Sequence, residues 1–515
     1  MGREAQGVTD MMYMTDRKKY LVGIDIGTTS LKTAIFDTDG NMVSSSTIDY
    51  TLDTKGSLVE FDALEYISIV RRSLTEAARI AFPDCDKDKL TEIIAGLSVD
   101  TQGETLIVTD ENFAPLRPAI VWLDNRADAE EKKIEADFGH ELVYRVTGQP
   151  EITATWPACK LMWIRGNEPA VFNRIRHVFL LEDWILWALT GKTVTEPTIQ
   201  SSTIYFDICK KQWWAEMLSY IGLDITVFSE IVPSGVKVGA MDTDWFFGGG
   251  EAGKSCGCGI SVVSGALDQI SGAIGAGVVG SGVISEMTGT TMAVFAPVSE
   301  IPPYSPDSII PCHINYDGSY ALLSWTPTAG IALKWFKNQL CESFSFKELD
   351  RLADKVEPGC SGLVFIPYLC GSTMPKYNPD ARGVFYGLTM EHTRGHMVRA
   401  ILESVACMLR STLEYLDVSC DEIRTMGGGA SSSLWCQIKA DITGVRLATL
   451  KNTETACLGT AILAGMGAGI FKSVEAACDR IVRTDKVYVP NQNEKTEAAY
   501  HRYIEADEKL YPSGK

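Results

Sequence analysis

Two short stretches of this chain share a pattern suited to phosphate chemistry. Asp25-Ile26-Gly27-Thr28-Thr29 lies between two strand-like runs near the start, and Met287-Thr288-Gly289-Thr290-Thr291 lies between two more near the middle. A turn with glycine at its bend can aim several backbone N–H groups at an anion, and the threonine hydroxyls add donors. Two such tips facing each other would grip the β- and γ-phosphates of a nucleotide from both sides. Asp25, at the end of the first strand, suits Mg2+ directly or through water, because that ion keeps several of its waters. Lys32 either neutralises phosphate charge or is an ordinary solvated strand residue. A third stretch, Gly427-Gly428-Gly429-Ala430-Ser431-Ser432-Ser433, joins a strand at 422–426 to a helix at 434–443. Glycines there permit close approach of an adenosine, and serines cap the helix; a ligand-free connection is the alternative.

Other spacings point to chemistry that their surroundings do not support. Gly248 to Ser255 satisfies the phosphate-loop spacing GxxxxGK[ST]. That motif works only between a buried strand and a helix N-terminus. Here the preceding AMDTDWFF is a poor strand and the following CGCGISVVSG a poor helix, so the segment reads as a mobile loop between halves. Cys256 and Cys258 stand too close for an ordinary zinc site, and His392 and His396 read as residues near a helix start rather than metal ligands.

The elements that must position these residues alternate strand and helix, which indicates α/β layers. Residues 20–26 and 32–37 read as strands and Asp39-Gly40 as a hairpin turn. Residues 63–80 carry a helical pattern, 92–99 a buried strand, and 177–190 an apolar helix ended by Gly191. Beyond a glycine-rich zone at 247–259 the pattern restarts, with strands at 283–287, 292–296, 321–325 and 362–369. The helix at 397–416 groups Val398, Ile401, Leu402, Val405, Met408, Leu409 and Leu416 near one face. At 515 residues the chain suits two or three domains. A boundary near residue 260 halves it, with a Gly-Thr-Thr tip at the start of each half. A loose extension over 1–18, where Met14 offers an alternative start, and a tail over 506–515 complete the division.

A net charge of −19 argues against nucleic-acid or anionic-membrane partners. No apolar run reaches the roughly 20 residues of a membrane span. The polar N-terminus lacks the apolar core of a signal peptide. Fourteen scattered cysteines without paired CxxC elements point to a reducing cytoplasm.

Taken in order, DIGTTSLKTAIFD, SGALDQISGAIGAG, the second GTT and GGGASSSLWCQIKADITG resemble the FGGY carbohydrate kinases, a family that includes glycerol kinase and the pentulose kinases. The resemblance covers about residues 20–505. It implies two ribonuclease-H-like, actin-type domains closing over a cleft, here 19–260 and 261–505, and ATP-dependent phosphorylation of a small sugar or polyol. It also implies that Asp268 is the general base, taking the acceptor hydroxyl's proton as the γ-phosphoryl group moves. On the residues alone, Asp268 reads as the cap of a helix over 269–276. By the same carry-over, Thr28, Thr29 and Lys32 meet the phosphates of ATP, and Gly289 and Thr290 meet them from the other side. Gly330, opening a helix at 331–340, matches a further nucleotide contact, and Gly428, Gly429 and Ser433 lie by the adenine. Glycerol kinases have Asn where Ser433 stands.

For the acceptor, the family pattern points to the loop after the 92–99 strand, with Gln102 and Glu104, and to Asp124, Trp156 and Gln269. Carboxylates and amides suit polyol hydroxyls because they offer acceptors and donors at fixed spacing. Turn and helix-cap roles are the plain alternatives for Gln102, Glu104 and Asp124. Thr101-Gln102 replaces the Met-His of xylulokinases, and Gly103 replaces an Arg of glycerol kinases. Asp268-Gln269 resembles glycerol kinase, while NPDARGVFYGLTMEHTRGHMVRAILESV at 378–405 resembles xylulokinases. Losing the Arg fork at Gly103 is expected to enlarge the pocket and favour a pentulose over glycerol, with a glycerol- or erythritol-type polyol as the alternative acceptor. A non-catalytic sugar sensor and an actin-like ATPase are rival readings of the same scaffold. Whether the chain forms a homodimer is left open by the sequence.

Overall fold

The apolar run YLVGIDI extends as β1 (Tyr20–Ile26) and turns at Gly27 into β2 (Ser30–Asp37) and β3 (Met42–Asp49), all antiparallel neighbours. The structure, a computed structural model, describes residues 18–255, 259–306, 309–373 and 376–512. Residues 1–17, most of the expected loose extension, and Cys256 and Cys258 lie outside the described residues. Helix α1 (Ala63–Ala81) starts where the Asp62 side chain accepts the Leu64 N–H at 2.9 Å, and its apolar face covers the sheet. β4 (Ile94–Thr101) then returns parallel to β1. A smaller antiparallel sheet and several helices are inserted before α2 (Leu181–Thr190) and the short α3 (Pro197–Gln200). The apolar stretch at 177–190 is not one helix. Its first four residues, His177–Leu180, pair with Leu106–Thr109 in that smaller sheet, and the helix begins at Leu181.

β5 (Lys237–Met241) and β6 (Ile260–Val263) complete the first large sheet, in the order β5-β6-β4-β1-β2-β3. A boundary at 260 therefore cuts the first half's last strand. The chain leaves that sheet after Val263, through α4 (Asp268–Gly275). The Gly248–Ser255 segment lies within the first half, between β5 and β6 rather than between halves. A 3-10 helix precedes it, a strand follows, and Lys254 pairs with Glu251 at 2.6 Å.

The second half repeats the plan. β7 (Gly282–Thr288), β8 (Met292–Val298), β9 (Cys312–Ile314), β10 (Tyr320–Thr326), β11 (Cys420–Met426), β12 (Arg446–Leu450) and β13 (Thr484–Tyr488) stand in the order β9-β10-β8-β7-β11-β12-β13. Each half thus has an antiparallel three-strand meander, two parallel additions and an antiparallel edge. The helices of this half include α5 (Gly330–Leu340), α6 (Arg394–Leu416), α7 (Ser433–Thr443) and α8 (Thr455–Gly467). The Nδ1 atoms of His392 and His396 accept the N–H groups of Thr389 and Thr393, closing the turns before α6. The last helix, Glu494–Leu510, buries Ala506 and Asp507, so a tail starting at 506 is corrected to the residues after it.

Glycines let the halves interlock. A Cβ on Gly275 of α4 would fall 1.8 Å from the Thr455 carbonyl oxygen, and one on Gly459 of α8 would fall 1.9 Å from that of Ser271. α8 also lies on the first sheet, where a Cβ on Gly23 would meet the Cys457 carbonyl at 2.0 Å. These contacts bury a cluster shared by both halves, including Leu267, Ile270, Phe295 and Ile462.

Candidate active site

Asp25 ends β1 and its direct neighbour across the parallel ladder is Asp100, at the end of β4. Both side chains are in low-dielectric surroundings. Asp100 is fully buried, accepts the Thr460 hydroxyl of α8 through Oδ2, and leaves Oδ1 without a protein partner among the described residues. Burial, and then the charge of Asp25, raises the Asp100 carboxyl well above the usual range; burial also raises Asp25, against the opposing pull of Asp100 and Lys32. Asp268 is half-buried at the first position of α4. It does not cap the helix: its Oδ1 accepts the Gln269 N–H at 2.6 Å. Desolvation, with Asp25 and then Glu104 as nearby negative charges, pushes its carboxyl up to about 7. Asp25, Asp100, Glu104 and Asp268 thus form one coupled acidic group.

Lys32 faces Asp25 across the β1–β2 hairpin but hydrogen bonds to Glu454, just before α8 in the second half, at 2.5 Å. It ties the halves together in this structure. The first hairpin tip is braced from outside. The Trp122 indole N–H donates to Thr28 Oγ1 at 2.9 Å, and the Tyr50 hydroxyl donates to the Gly27 carbonyl. Thr29 is exposed. Hard oxygen donors at Asp25 suit Mg2+, which takes one or two carboxylates and completes its shell with phosphate oxygens and water.

The second tip is built on α5. The Ala329 and Ile331 N–H groups both donate to the Thr290 carbonyl at 3.1 Å, and Gly330 N–H donates to the Gly289 carbonyl at 3.0 Å. A Cβ on Gly330 would come within 2.2 Å of that oxygen, so only glycine fits. Below the tip, Glu286 and Lys439 form a fully buried ion pair at 2.8 Å, and Lys439 also donates to Thr288 Oγ1 at 2.8 Å. A cavity of about 460 Å³ opens beside the tip, lined by Gly289, Thr290, Gly330, Gly428 and Gly429 as expected, and by Ser431, Ser432 and Trp435. Lys334, Phe346, Lys347 and Asp350 also line it. No spacing in the sequence singles these four out, apart from Lys334 falling one turn after Gly330. Ser433 does not line this cavity. One step along α7 its hydroxyl turns away, to Lys486 at 3.3 Å and Tyr488 at 3.2 Å.

On the acceptor side, Glu104 sits at φ 56 with its carboxyl raised by burial. Gln102 is buried, its Nε2 donates to the Tyr66 hydroxyl at 3.3 Å, and its Oε1 has no protein partner among the described residues. Gln269 adjoins the expected base. Asp124 is not available. Fully buried, it accepts Val59 N–H at 2.6 Å and three N–H groups of Arg126, at 2.6 to 3.0 Å. Trp156 donates its indole N–H to the Glu151 carbonyl at 3.0 Å and packs at the start of the helix Pro157–Asn167. The extra room expected at Gly103 is filled: a Cβ there would lie 3.2 Å from Leu267 Cδ1 and 3.4 Å from Ser202 Oγ. Lys160, missed in the sequence, is fully buried, with its ammonium on the carbonyls of Glu104 at 3.1 Å and Val121 at 3.0 Å. Burial lowers it to about 7.

Residues 20–275 match the FGGY family of carbohydrate kinases, N-terminal domain, and residues 287–468 match the C-terminal domain of the same family. A xylulose kinase of Staphylococcus epidermidis is 29% identical over 502 residues, covering 97% of each chain. A gluconokinase of Bacillus subtilis is 29% identical over 490 residues, covering 90% of this chain and 91% of its own. The solved structure of a ligand-bound xylulose kinase from Lactobacillus acidophilus superposes with a TM-score of 0.86 at 25% identity, covering 96% of this chain and 99% of its own. Among the described residues no helix is long and apolar enough to cross a membrane.

Proposed function

Because the chain belongs to the FGGY family of carbohydrate kinases, we propose that it transfers the γ-phosphoryl group of ATP to a hydroxyl of a pentulose, with Asp268 as general base. The observation that carries this reading is Asp268 itself, a carboxylate poised at about 7 beside Asp25 and Glu104. A base of that strength takes a hydroxyl proton efficiently near neutral pH. The xylulose kinases among the relatives support the ketopentose acceptor.

In this mechanism the purine lies in the cavity beside Gly428 and Gly429, and the phosphates meet Thr290 on one side and Thr28 and Thr29 on the other. Glu104 and the free Oε1 of Gln102 accept hydrogen bonds from acceptor hydroxyls. Asp268 orients the attacking hydroxyl and receives its proton as the new O–P bond forms and the bond to the β-phosphate oxygen breaks, releasing ADP. Asp25 would hold Mg2+, which would supply charge neutralisation for the phosphates. Lys32 leaves Glu454 for the phosphates, and exclusion of water then limits wasteful hydrolysis.

The acidic group argues for a neutral acceptor. Asp25 and Glu104, the negative charges that act on Asp268, would repel an aldonate, and the ammonium of Lys160 is occupied by carbonyl oxygens. The crowding of Gly103 by Leu267 and Ser202 favours a second reading, a smaller polyol such as glycerol or erythritol. ADP release measured across ketopentoses, four- and five-carbon polyols, glycerol and gluconate decides between them. A ketopentose is expected to give the highest kcat/KM. Response to glycerol or erythritol alone establishes the second reading, and a preference for gluconate refutes both.

A further inference from the structure

The peptide that delivers Asp268 is held from behind by two buried acids that no step above uses. Gly265 N–H donates to Oε1 of Glu182, on α2, at 2.9 Å. Leu267 N–H donates to Oγ1 of Thr198, on α3, at 2.8 Å. The Thr198 hydroxyl in turn donates to Oε1 of Glu196 at 2.6 Å, and Oε2 of Glu196 accepts the Ser234 hydroxyl at 2.8 Å and the Thr198 N–H at 2.7 Å. Both glutamates have no exposed surface. The turn they grip is crowded on its far side, where a Cβ on Gly265 would lie 1.8 Å from the Val99 carbonyl oxygen. Ser264, one residue earlier, donates its hydroxyl to the Pro233 carbonyl at 2.7 Å.

The chemistry of the pair is unusual for a purely structural contact. Burial and mutual repulsion raise Glu182, and its other charged neighbour is Asp183, a third acid rather than a cation. Glu182 Oε2 has no protein partner among the described residues. Buried acids without a cation destabilise a fold relative to apolar residues of the same volume. What they provide here is a direct acceptor, Glu182, for the N–H three residues before Asp268, and a brace, Glu196, for the Thr198 hydroxyl that accepts the N–H one residue before it.

We propose that Glu182 and Glu196, the latter through Thr198, are positioning residues that fix the 264–267 turn and so aim the Asp268 carboxylate at the acceptor hydroxyl. This rests on the reading of Asp268 as the base. A displacement of about 1 Å in a reacting group costs on the order of a hundredfold in rate, so the clamp acts on kcat.

The test compares Thr198→Val, Glu182→Leu and Glu182→Gln in the parent and in Asp268→Asn. Thr198→Val keeps shape and loses the acceptor. It and Glu182→Leu are expected to lower kcat about tenfold to a hundredfold, with KM for ATP and acceptor changed less than about twofold. Glu182→Gln keeps an acceptor oxygen for Gly265 N–H and is expected to restore kcat to within about threefold of the parent. In the Asp268→Asn background, Thr198→Val is expected to cause no further loss, since residues acting as one unit are not additive. An unchanged kcat in Thr198→Val refutes the clamp, as does an equal further loss in Asp268→Asn or failure of Glu182→Gln to rescue. Parental activity in Asp268→Asn instead refutes the base assignment and the clamp with it. Thermal midpoints of each variant, with the isosteric Thr198→Val as reference, separate aim from folding.

Discussion

The two halves share a strand plan but differ where the strands end. Asp25 and Asp100 are register partners at the tips of β1 and β4; the corresponding partners on β7 and β11 are Met287 and Met426. One residue earlier the contrast reverses, with Ile24 beside Val99 in the first half and Glu286 beside Thr425 in the second. The first half ends its paired strands on carboxylates above an apolar pair. The second half ends its paired strands on methionines and braces its hairpin from below with the Glu286–Lys439 pair. A repeated scaffold therefore holds two different chemistries, separated by a one-residue shift of polarity along paired strands. Because side chains alternate faces, that shift moves the polar pair to the other face of the sheet.

The contrast breaks most visibly if the acidic side is silenced. Asp268→Asn is expected to lower kcat by about 10²- to 10⁴-fold while ATP affinity, measured by calorimetry, stays near the parent's. An equal loss of ATP affinity would show that the acidic group binds rather than reacts. On the opposite side, Lys439→Met strands Glu286 in the core. It should cost about 3–5 kcal/mol in denaturant unfolding, with Lys439→Met/Glu286→Leu recovering most of it. If the double variant is no better, the network is needed for more than charge balance. Gly330→Ala forces a Cβ against the Gly289 carbonyl, and the resulting overpacking of about 1–3 kcal/mol should appear in KM for ATP and not in KM for the acceptor.

Smaller effects test the coupling of the acids. Asp100 has a raised folded-state pKa, so the folded chain holds that proton more tightly than the unfolded chain does. Stability on its account falls as pH rises above the ordinary carboxylate range of about 4. Asp100→Asn should remove this fall, so its stability relative to the parent should grow as pH rises above about 4 in parallel urea titrations. A constant difference would mean that Asp100 is not strained. The smallest effect is in the pH profile. Asp268 accepts a proton only when ionised, so kcat/KM should rise with pH through about 7. In Glu104→Gln that limb should move to lower pH, because one neighbouring negative charge is gone. Movement to higher pH would contradict the coupling.

Much of this arrangement was legible in residue order. The Gly-Thr-Thr tips, the glycines at 330, 428 and 429 and the helix start at Asp268 are local features, decided by φ/ψ needs and hydrophobic period within a few residues. Errors arose where a local pattern has two physical outcomes. HVFL is equally apolar as helix or strand, and pairing with Leu106–Thr109 decided it. Asp124 is a carboxylate in a polar motif, but Arg126 and Val59 saturate it. Ser433 differs from Ser432 by one helical step, about 100° of rotation, which takes it to Lys486 and out of the cavity beside Gly428 and Gly429.

Residue order by itself determined the two-part α/β plan and the identity of the acid at the start of α4, because both follow from short-range chemistry. Only the tertiary structure decided which acids share a field. Asp25 meets Asp100 through a parallel register between distant strands, and α8 of the second half brings Thr460 to them. The turn before Asp268 is held by Glu182 of α2 and Thr198 of α3. A carboxylate's type is written in the chain, but its proton affinity and direction depend on neighbours that only the fold assembles.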